Sequence, residues 1–246
     1  MKKFVSFSGG KDSTALALLE RDAIPIFCDT GWEFAEIYAH IELFERVTGR
    51  GVTRVMNAKH GSIPDQIRDY AFLPNHGARW CTREFKIDPI NRFLRSHLPC
   101  ELLIGLRADE PDRVGSLTEI DGLTIRYPLR ERGLTYADVI EICAGADLLP
   151  RYPVYMARGG CVGCFYKRKS EVQAMISFVP DVVDQLQALE EEVQDERGKF
   201  FHMFPNVGMS IRDLRRQPLM FDADQVYAAA SHAEDKGAAC GLFCHR

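Results

Sequence analysis

Lys3-Phe4-Val5-Ser6-Phe7-Ser8-Gly9-Gly10-Lys11-Asp12-Ser13-Thr14 decides how this chain is read. A short β-type run, Lys3 to Phe7, opens directly into a glycine pair and a lysine, and Ser13-Thr14 begin an alanine- and leucine-rich helix. Two glycines let backbone N–H groups approach an anion closely, Lys11 adds a point charge, and the N-terminal dipole of the helix faces the same anion. The stretch therefore reads as a phosphate loop closing a first strand. An ordinary glycine-rich turn requires neither the lysine nor the Asp12-Ser13 that follows. The spacing also differs from the nucleotide loop that places four residues between a glycine and Gly-Lys-Ser/Thr.

Outward from this loop, strand and helix patterns alternate. Ile24 to Cys28 is a second buried strand, and Phe34 to Val47 a helix with Phe34, Ile37, Tyr38, Ile41 and Phe44 on its apolar face. Val52 to Met56 is a third strand and Glu101 to Leu106 a fourth. Such alternation predicts right-handed crossovers, hence an α/β fold with a doubly wound parallel sheet and helices on both faces. Ligands of these sheets bind at the carboxyl ends of the strands, near the switch in strand order. The phosphate loop, Asp29-Thr30-Gly31 and Arg107 to Arg113 all fall at such ends, so three loops distant in sequence should line one crevice.

Beyond the fourth strand the pattern is less regular. Leu123 to Tyr127 suits an edge strand, Thr135 to Cys143 a helix capped by Thr135, and Pro180 to Arg197 an acidic helix with Val182, Val183, Leu186, Leu189 and Val193 on one face. Residues 1–147 are expected to form the nucleotide-binding unit, and 148–246 a helical, cysteine-bearing extension packed on it.

The 246 residues, 46% of them hydrophobic, are enough for one sizeable core. A net charge of -4 excludes a surface that binds polyanions throughout, so any nucleic-acid contact must be local. The chain enters its first strand at once, leaving no room for a cleaved signal, and no apolar run spans a membrane, so a cytoplasmic location is expected. Eight cysteines in a reducing compartment argue for metal or thiol chemistry above disulfides.

Five segments in order carry a family likeness: Ser6-Phe7-Ser8-Gly9-Gly10-Lys11-Asp12-Ser13; Asp29-Thr30-Gly31-Trp32-Glu33-Phe34; Arg79-Trp80-Cys81-Thr82-Arg83-Glu84-Phe85-Lys86; Gly105-Leu106-Arg107-Ala108-Asp109-Glu110-Pro111-Asp112-Arg113; and Gly160-Cys161-Val162-Gly163-Cys164. From Phe4 to Cys164 the chain resembles the phosphoadenosine phosphosulfate reductase-like branch of the PP-loop (ATP pyrophosphatase, adenine nucleotide α-hydrolase) superfamily. That resemblance implies that Ser8, Gly9, Gly10, Lys11, Asp12 and Ser13 hold phosphates, that Asp29, Thr30 and Gly31 help hold the adenosine, and that Lys86, Arg107 and Arg113 surround phosphate or sulfate groups. Guanidinium forks and a compact ammonium suit that task.

The same resemblance implies an iron–sulfur centre. Relatives hold a [4Fe-4S] cluster with a tandem cysteine pair plus a C-x-x-C; here Trp80 replaces the first of the pair. Cys81, Cys161 and Cys164 match, and the fourth iron is either open or bound by Cys240 or Cys244. A zinc site of Cys161, Cys164, Cys240 and Cys244 is the rival. Cys28, Cys100 and Cys143 lie in apolar runs and are expected to be buried structural thiols. Reductases of the family end in a nucleophilic cysteine within Cys-Gly-Leu/Ile-His; this chain has Cys240-Gly241-Leu242-Phe243, so Cys240 is a candidate nucleophile, ligand or redox partner of Cys244.

The nucleotide follows from the loop. Sulfonucleotide reductases have no β- and γ-phosphates to hold and usually lose the Gly-Gly-Lys-Asp-Ser that this chain keeps, which favours ATP with Mg2+. ATP-using relatives with a cluster are sulfurtransferases that thiolate tRNA or DNA. In them Lys11 would neutralise departing pyrophosphate, Asp12 would orient Mg2+, and sulfur would displace AMP from an adenylylated acceptor. Local basic clusters, Lys167-Arg168-Lys169 and Arg212, Arg215 and Arg216, suit a nucleic-acid acceptor as well as they suit solvated helix faces. The implied partners are an adenine nucleotide, a tRNA or DNA acceptor, a sulfur donor or thioredoxin-like reductant, and a second copy of the chain in a homodimer. A sulfonucleotide reductase and a non-catalytic nucleotide-binding subunit are the alternatives.

Overall fold

The computed structural model describes residues 1–113, 120–153, 156, 159–197 and 201–217. In chain order the elements are β1 (Lys2–Ser6), α1 (Lys11–Leu19), β2 (Ile24–Asp29), α2 (Ala35–Thr48), β3 (Thr53–Met56), α3 (Ile63–Tyr70), α4 (Trp80–Thr82), a π-helical turn (Arg83–Ile87) and α5 (Asp88–Arg95). β4 (Cys100–Leu103), β5 (Leu123–Arg126), α6 (Pro128–Glu131), α7 (Tyr136–Gly145), α8 (Lys169–Phe178), α9 (Pro180–Arg197) and α10 (Ile211–Arg216) follow.

The strands form a five-stranded sheet in the order β3-β2-β1-β4-β5. Every neighbouring pair is parallel, with Phe4 opposite Ile24 and Leu102, and Cys28 opposite Val55. The chain runs outward from β1 through β2 to β3, then returns to lay β4 on the other side of β1. The order therefore switches beside β1, and the phosphate loop stands at the carboxyl end of that central strand. The expected edge strand is β5, parallel to β4.

Alternation along each strand feeds two cores, as a sheet covered on both faces requires. Val5, Phe7, Phe27 and Leu103 point to one face, where they join Leu16 of α1, Ile37, Ile41 and Phe44 of α2, and Val139 and Cys143 of α7. Phe4, Ile26, Cys28, Cys100 and Leu102 point to the other and meet Ile90 and Leu94 of α5. Phe7 and Phe44 rings lie 4.8 Å apart. Cys28, Cys100 and Cys143 are buried, and burial pushes the Cys28 and Cys143 thiols up to about 12, as their apolar runs predict.

The α9 stripe of Val183, Leu186, Leu189 and Val193 is buried in the same cluster as Val5 and Phe7, together with Val172 of α8 and Leu214 of α10. Its acidic face is not simply solvated. Glu190 is buried and accepts the backbone N–H groups of Met203 and Ile211 at 2.7 and 2.9 Å. Asp184 and Glu191 pair with Arg215 and Arg212 of α10 at 2.6 and 2.8 Å. Among the described residues no helix is long and apolar enough to cross a membrane.

Candidate functional site

The phosphate loop is shaped by its own hydroxyls and glycines. Ser13 donates to the Gly10 carbonyl at 3.0 Å and accepts the Ser8 N–H at 3.1 Å, which folds the loop back over the first turn of α1. Gly9 takes φ +70, where a side chain is strained, and an ideal Cβ there would stand 3.1 Å from Ile37. Gly10 caps α1 without a side chain of its own. Lys11, the first helical residue, directs its ammonium between two tyrosines. Nζ donates to the Tyr136 hydroxyl at 3.1 Å and lies 5.1 and 5.4 Å from the Tyr136 and Tyr152 ring centroids. Neither tyrosine was singled out from sequence; Tyr136 begins α7 and Tyr152 follows a loop, and only the fold brings them to Lys11.

The loop after β4 closes on α1 from the other side of the switch point. An ideal Cβ at Gly105 would stand 3.1 Å from the Asp12 backbone carbonyl, so the two loops touch main chain to main chain. Arg107 is only 7% exposed. Its Nη1 donates to Asp12 Oδ1 at 2.9 Å, its Nε to Asp109 Oδ1 at 2.8 Å, and its guanidinium lies 5.2 Å from the Tyr136 ring centroid. Arg113 donates to Glu110 at 3.1 Å, and Arg130 ties the loop down by donating to the carbonyls of Glu110 and Arg113 at 2.6 and 2.9 Å. Burial pushes the Asp12 carboxyl up, against the pull of the Arg107 guanidinium. Arg107 and Arg113 thus each have carboxylate partners, and Arg107 ties the loop after β4 to the first turn of α1.

The β2 loop forms the neighbouring wall. Asp29 Oδ1 accepts the Gly31 N–H at 2.9 Å and the Tyr38 hydroxyl at 2.7 Å. Gly31, at φ +64, lies where a Cβ would stand 2.7 Å from the Gly61 carbonyl. The Cys161–Cys164 turn docks on this loop: Cys161 bridges Glu33 through the backbone, and Val162 N–H donates to the Trp32 carbonyl at 2.8 Å. The Cys161 thiol donates to Glu33 Oε1 at 3.4 Å, and Thr30 donates to the same carboxylate oxygen at 2.9 Å. An ideal Cβ at Gly163 would lie 2.0 Å from the Trp32 ring, so the turn packs flat on the indole. Lys86 belongs to the π-helical turn beside β2, where its carbonyl accepts the Cys28 thiol at 3.4 Å.

The structure therefore gathers Ser8 to Ser13, Arg107 and Arg113 on one side and Asp29 to Gly31 with Cys161 on the other. Cys81 lies on α4, half-buried like Cys164. Among the described residues no group of three or more His, Cys, Asp or Glu is arranged to hold a metal ion. Cys81, Cys161 and Cys164 by themselves do not make the expected centre, and Cys240 and Cys244 lie outside the described residues.

The two basic clusters are placed differently in the fold. Lys167 is 2% exposed, with Nζ 4.7 Å from the Phe34 ring centroid. Arg212, Arg215 and Arg216 pair with Glu191, Asp184 and Asp213. Packing buries Lys167, while Arg212, Arg215 and Arg216 stay partly or largely exposed beside their carboxylates.

Three comparisons show what the chain is similar to. Residues 2–120 match the family model of the phosphoadenosine phosphosulfate reductase domain. An uncharacterized protein of Methanocaldococcus jannaschii is 30% identical over 113 residues, 43% of this chain, and the match spans 23% of the archaeal protein. The crystal structure of phosphoadenylyl-sulfate reductase from Candida auris in complex with phosphate aligns at a TM-score of 0.45 and 14% identity, over 60% of this chain and 74% of that one. Over residues 2–120 the chain is thus similar to the phosphoadenosine phosphosulfate reductase domain.

Proposed function

We propose that this chain is an enzyme that binds ATP at the Ser8–Ser13 loop and uses the adenylyl group in sulfur transfer. The observation that carries the reading is the intact Gly9-Gly10-Lys11-Asp12-Ser13, held at the end of the central strand with the Lys11 ammonium at the first turn of α1. A point charge there suits a departing pyrophosphate, whose charge grows as an acceptor oxygen attacks the α-phosphorus. Arg107 acts on this step indirectly, by fixing Asp12 and so the orientation of α1. Mg2+ bound with the nucleotide would supply further neutralisation; Asp12 is its candidate ligand through the carboxylate oxygen not bonded to Arg107. Asp29, Thr30 and Gly31 are proposed to hold the adenosine, with Lys86 at the same wall.

Cys81, Cys161 and Cys164, with Cys240 or Cys244, are the proposed ligands of a [4Fe-4S] cluster, and the zinc set of Cys161, Cys164, Cys240 and Cys244 is the rival. A bound cluster would supply sulfur or electron delivery. A tRNA or DNA acceptor is part of this reading, with the exposed arginines of α10 as its candidate phosphate contacts. The second reading, a sulfonucleotide reductase with Cys240 as nucleophile, is favoured by the family match and by Cys240-Gly241-Leu242.

Anaerobic titration calorimetry of the full chain with ATP plus Mg2+, adenosine phosphosulfate and phosphoadenosine phosphosulfate separates them. Preference for ATP supports the adenylylation reading. Preference for either sulfonucleotide overturns it in favour of the reductase.

A further inference from the structure

The phenolic oxygen of Tyr152 occupies a position that a phosphate loop offers to an anion. It accepts the backbone N–H of Lys11, the first residue of α1, at 3.2 Å. An ideal Cβ at Gly10 would stand 3.6 Å from the same oxygen. A neutral hydroxyl thus sits at a helix N-terminus beside a lysine, surroundings that favour negative charge.

One edge of the Tyr152 ring meets the chain that leads to the cysteines. Gly159 is packed between Ile37 and Tyr152: its ideal Cβ would lie 2.6 Å from Ile37 Cδ1 and 3.2 Å from Tyr152 Cε1. Gly160 follows at φ +140, and then Cys161, bridged through the backbone to Glu33. One side chain therefore touches both the phosphate loop and the approach to the C-x-x-C turn.

We propose that the Tyr152 hydroxyl stands in for a nucleotide phosphate oxygen on the Lys11 amide, and that its displacement by nucleotide repacks Gly159 and the Cys161–Cys164 turn. The proposal rests on the loop being the nucleotide site. A charged phosphate oxygen makes the stronger bond to an N–H, so the exchange runs toward the ligand. Gly159 has no side chain to stand between its backbone and the ring, so a shift of the ring is felt by the backbone at Gly159. Occupancy of the phosphate loop is thereby relayed to the thiols through the Tyr152 ring.

Tyr152→Phe deletes the competing oxygen and keeps the ring. Titration of the full chain with ATP plus Mg2+, and in parallel with adenosine phosphosulfate, should show the variant binding the preferred nucleotide roughly three- to tenfold more tightly than wild type, the gain expected from removing one competing hydrogen bond. In hydrogen exchange read by mass spectrometry, the preferred nucleotide should change amide exchange over 159–164 in wild type, and the change should shrink at least about twofold in the variant. Firm wild-type binding with equal or weaker binding by Tyr152→Phe would make the tyrosine a filler or a ligand contact and overturn this inference alone. Failure of wild type to bind either nucleotide would overturn the nucleotide reading, and this inference with it.

Discussion

Replacing Arg107 by methionine should destabilise the protein through the phosphate loop. The guanidinium is nearly buried and bonds to Asp12 and Asp109 at 2.9 and 2.8 Å, with Glu110 at 3.8 Å. Removing one partner of a buried pair costs roughly 3–5 kcal/mol, because the other charge is left uncompensated. Two of the three carboxylates escape most of that cost. Asp109 is 38% exposed and can rehydrate, and Glu110 keeps Arg113 at 3.1 Å. Asp12, with 19% side-chain exposure, bears the remainder. The expected loss is therefore at the lower end, about 3 kcal/mol, or roughly 6–12 °C in Tm for a chain of this size. Urea denaturation at pH 7 measures it, and a double-mutant cycle with Asp12→Asn should return a coupling energy of about 1–3 kcal/mol. The pH dependence has a defined sign. A carboxyl raised above its unfolded value gives stability below the unfolded pKa and loses it as pH rises through the folded one. Asp12 is already raised by burial, and without Arg107 it should rise further, so Arg107→Met should be less damaging near pH 4.5 than at pH 7. A loss under about 1 kcal/mol, or no coupling to Asp12, would refute the claim that this contact holds the loop.

Burial holds the His40 imidazole down to about 4 from 6.5, with Nε2 2.9 Å from the Thr14 hydroxyl. The unfolded chain takes up that proton near pH 6.5, so stability should be complete above this value and fall by at most about 3 kcal/mol toward pH 4; His40→Gln should flatten that part of the profile, and an unchanged profile would contradict it. Gly163→Ala forces a methyl group to 2.0 Å from the Trp32 ring and should cost a few kcal/mol, roughly 1–3, in denaturation. Gly145→Ala, at the end of α7 with open space around it, should be neutral or stabilising, and equal effects of the two would contradict the packing described. If the cysteines carry iron as proposed, Cys161→Ser and Cys164→Ser should strip it from anaerobically purified protein while the buried Cys28→Ser keeps it; equal iron in all three would rule out that ligand set.

The parallel sheet was legible because its signals are local. β1, β2 and β4 are apolar runs, and a strand ending in Ser8-Gly9-Gly10-Lys11 announces its own carboxyl end. Parallel strands then place the loops after β1, β2 and β4 on one side without further information. The helical segment from Trp80 to Arg95 was less legible: its motif reads as chemistry, and its π-helical turn follows from packing against β2. Tyr136 and Tyr152 were invisible as site residues, since an aromatic beside a helix start or a proline looks like any core residue until the fold sets it against Lys11. The basic residues were legible by type but not by partner. Arg107 was read from the resemblance as a group around phosphate or sulfate, and only the meeting of the β1 and β4 loops shows that it also bonds to Asp12. Lys167 looked exposed by its neighbours Arg168 and Lys169, yet the turn after Cys164 folds it beneath Phe34.

The most direct test of the central claim is the affinity ladder ATP, ADP, AMP, measured by calorimetry with Mg2+ on wild type and Lys11→Ala. If the loop holds β- and γ-phosphates, ATP should bind at least about tenfold more tightly than AMP in wild type, a difference of about 1.4 kcal/mol, and Lys11→Ala should erase most of that margin while leaving AMP affinity nearly unchanged. Equal affinity for ATP and AMP in wild type, or a margin that survives Lys11→Ala, would contradict the account.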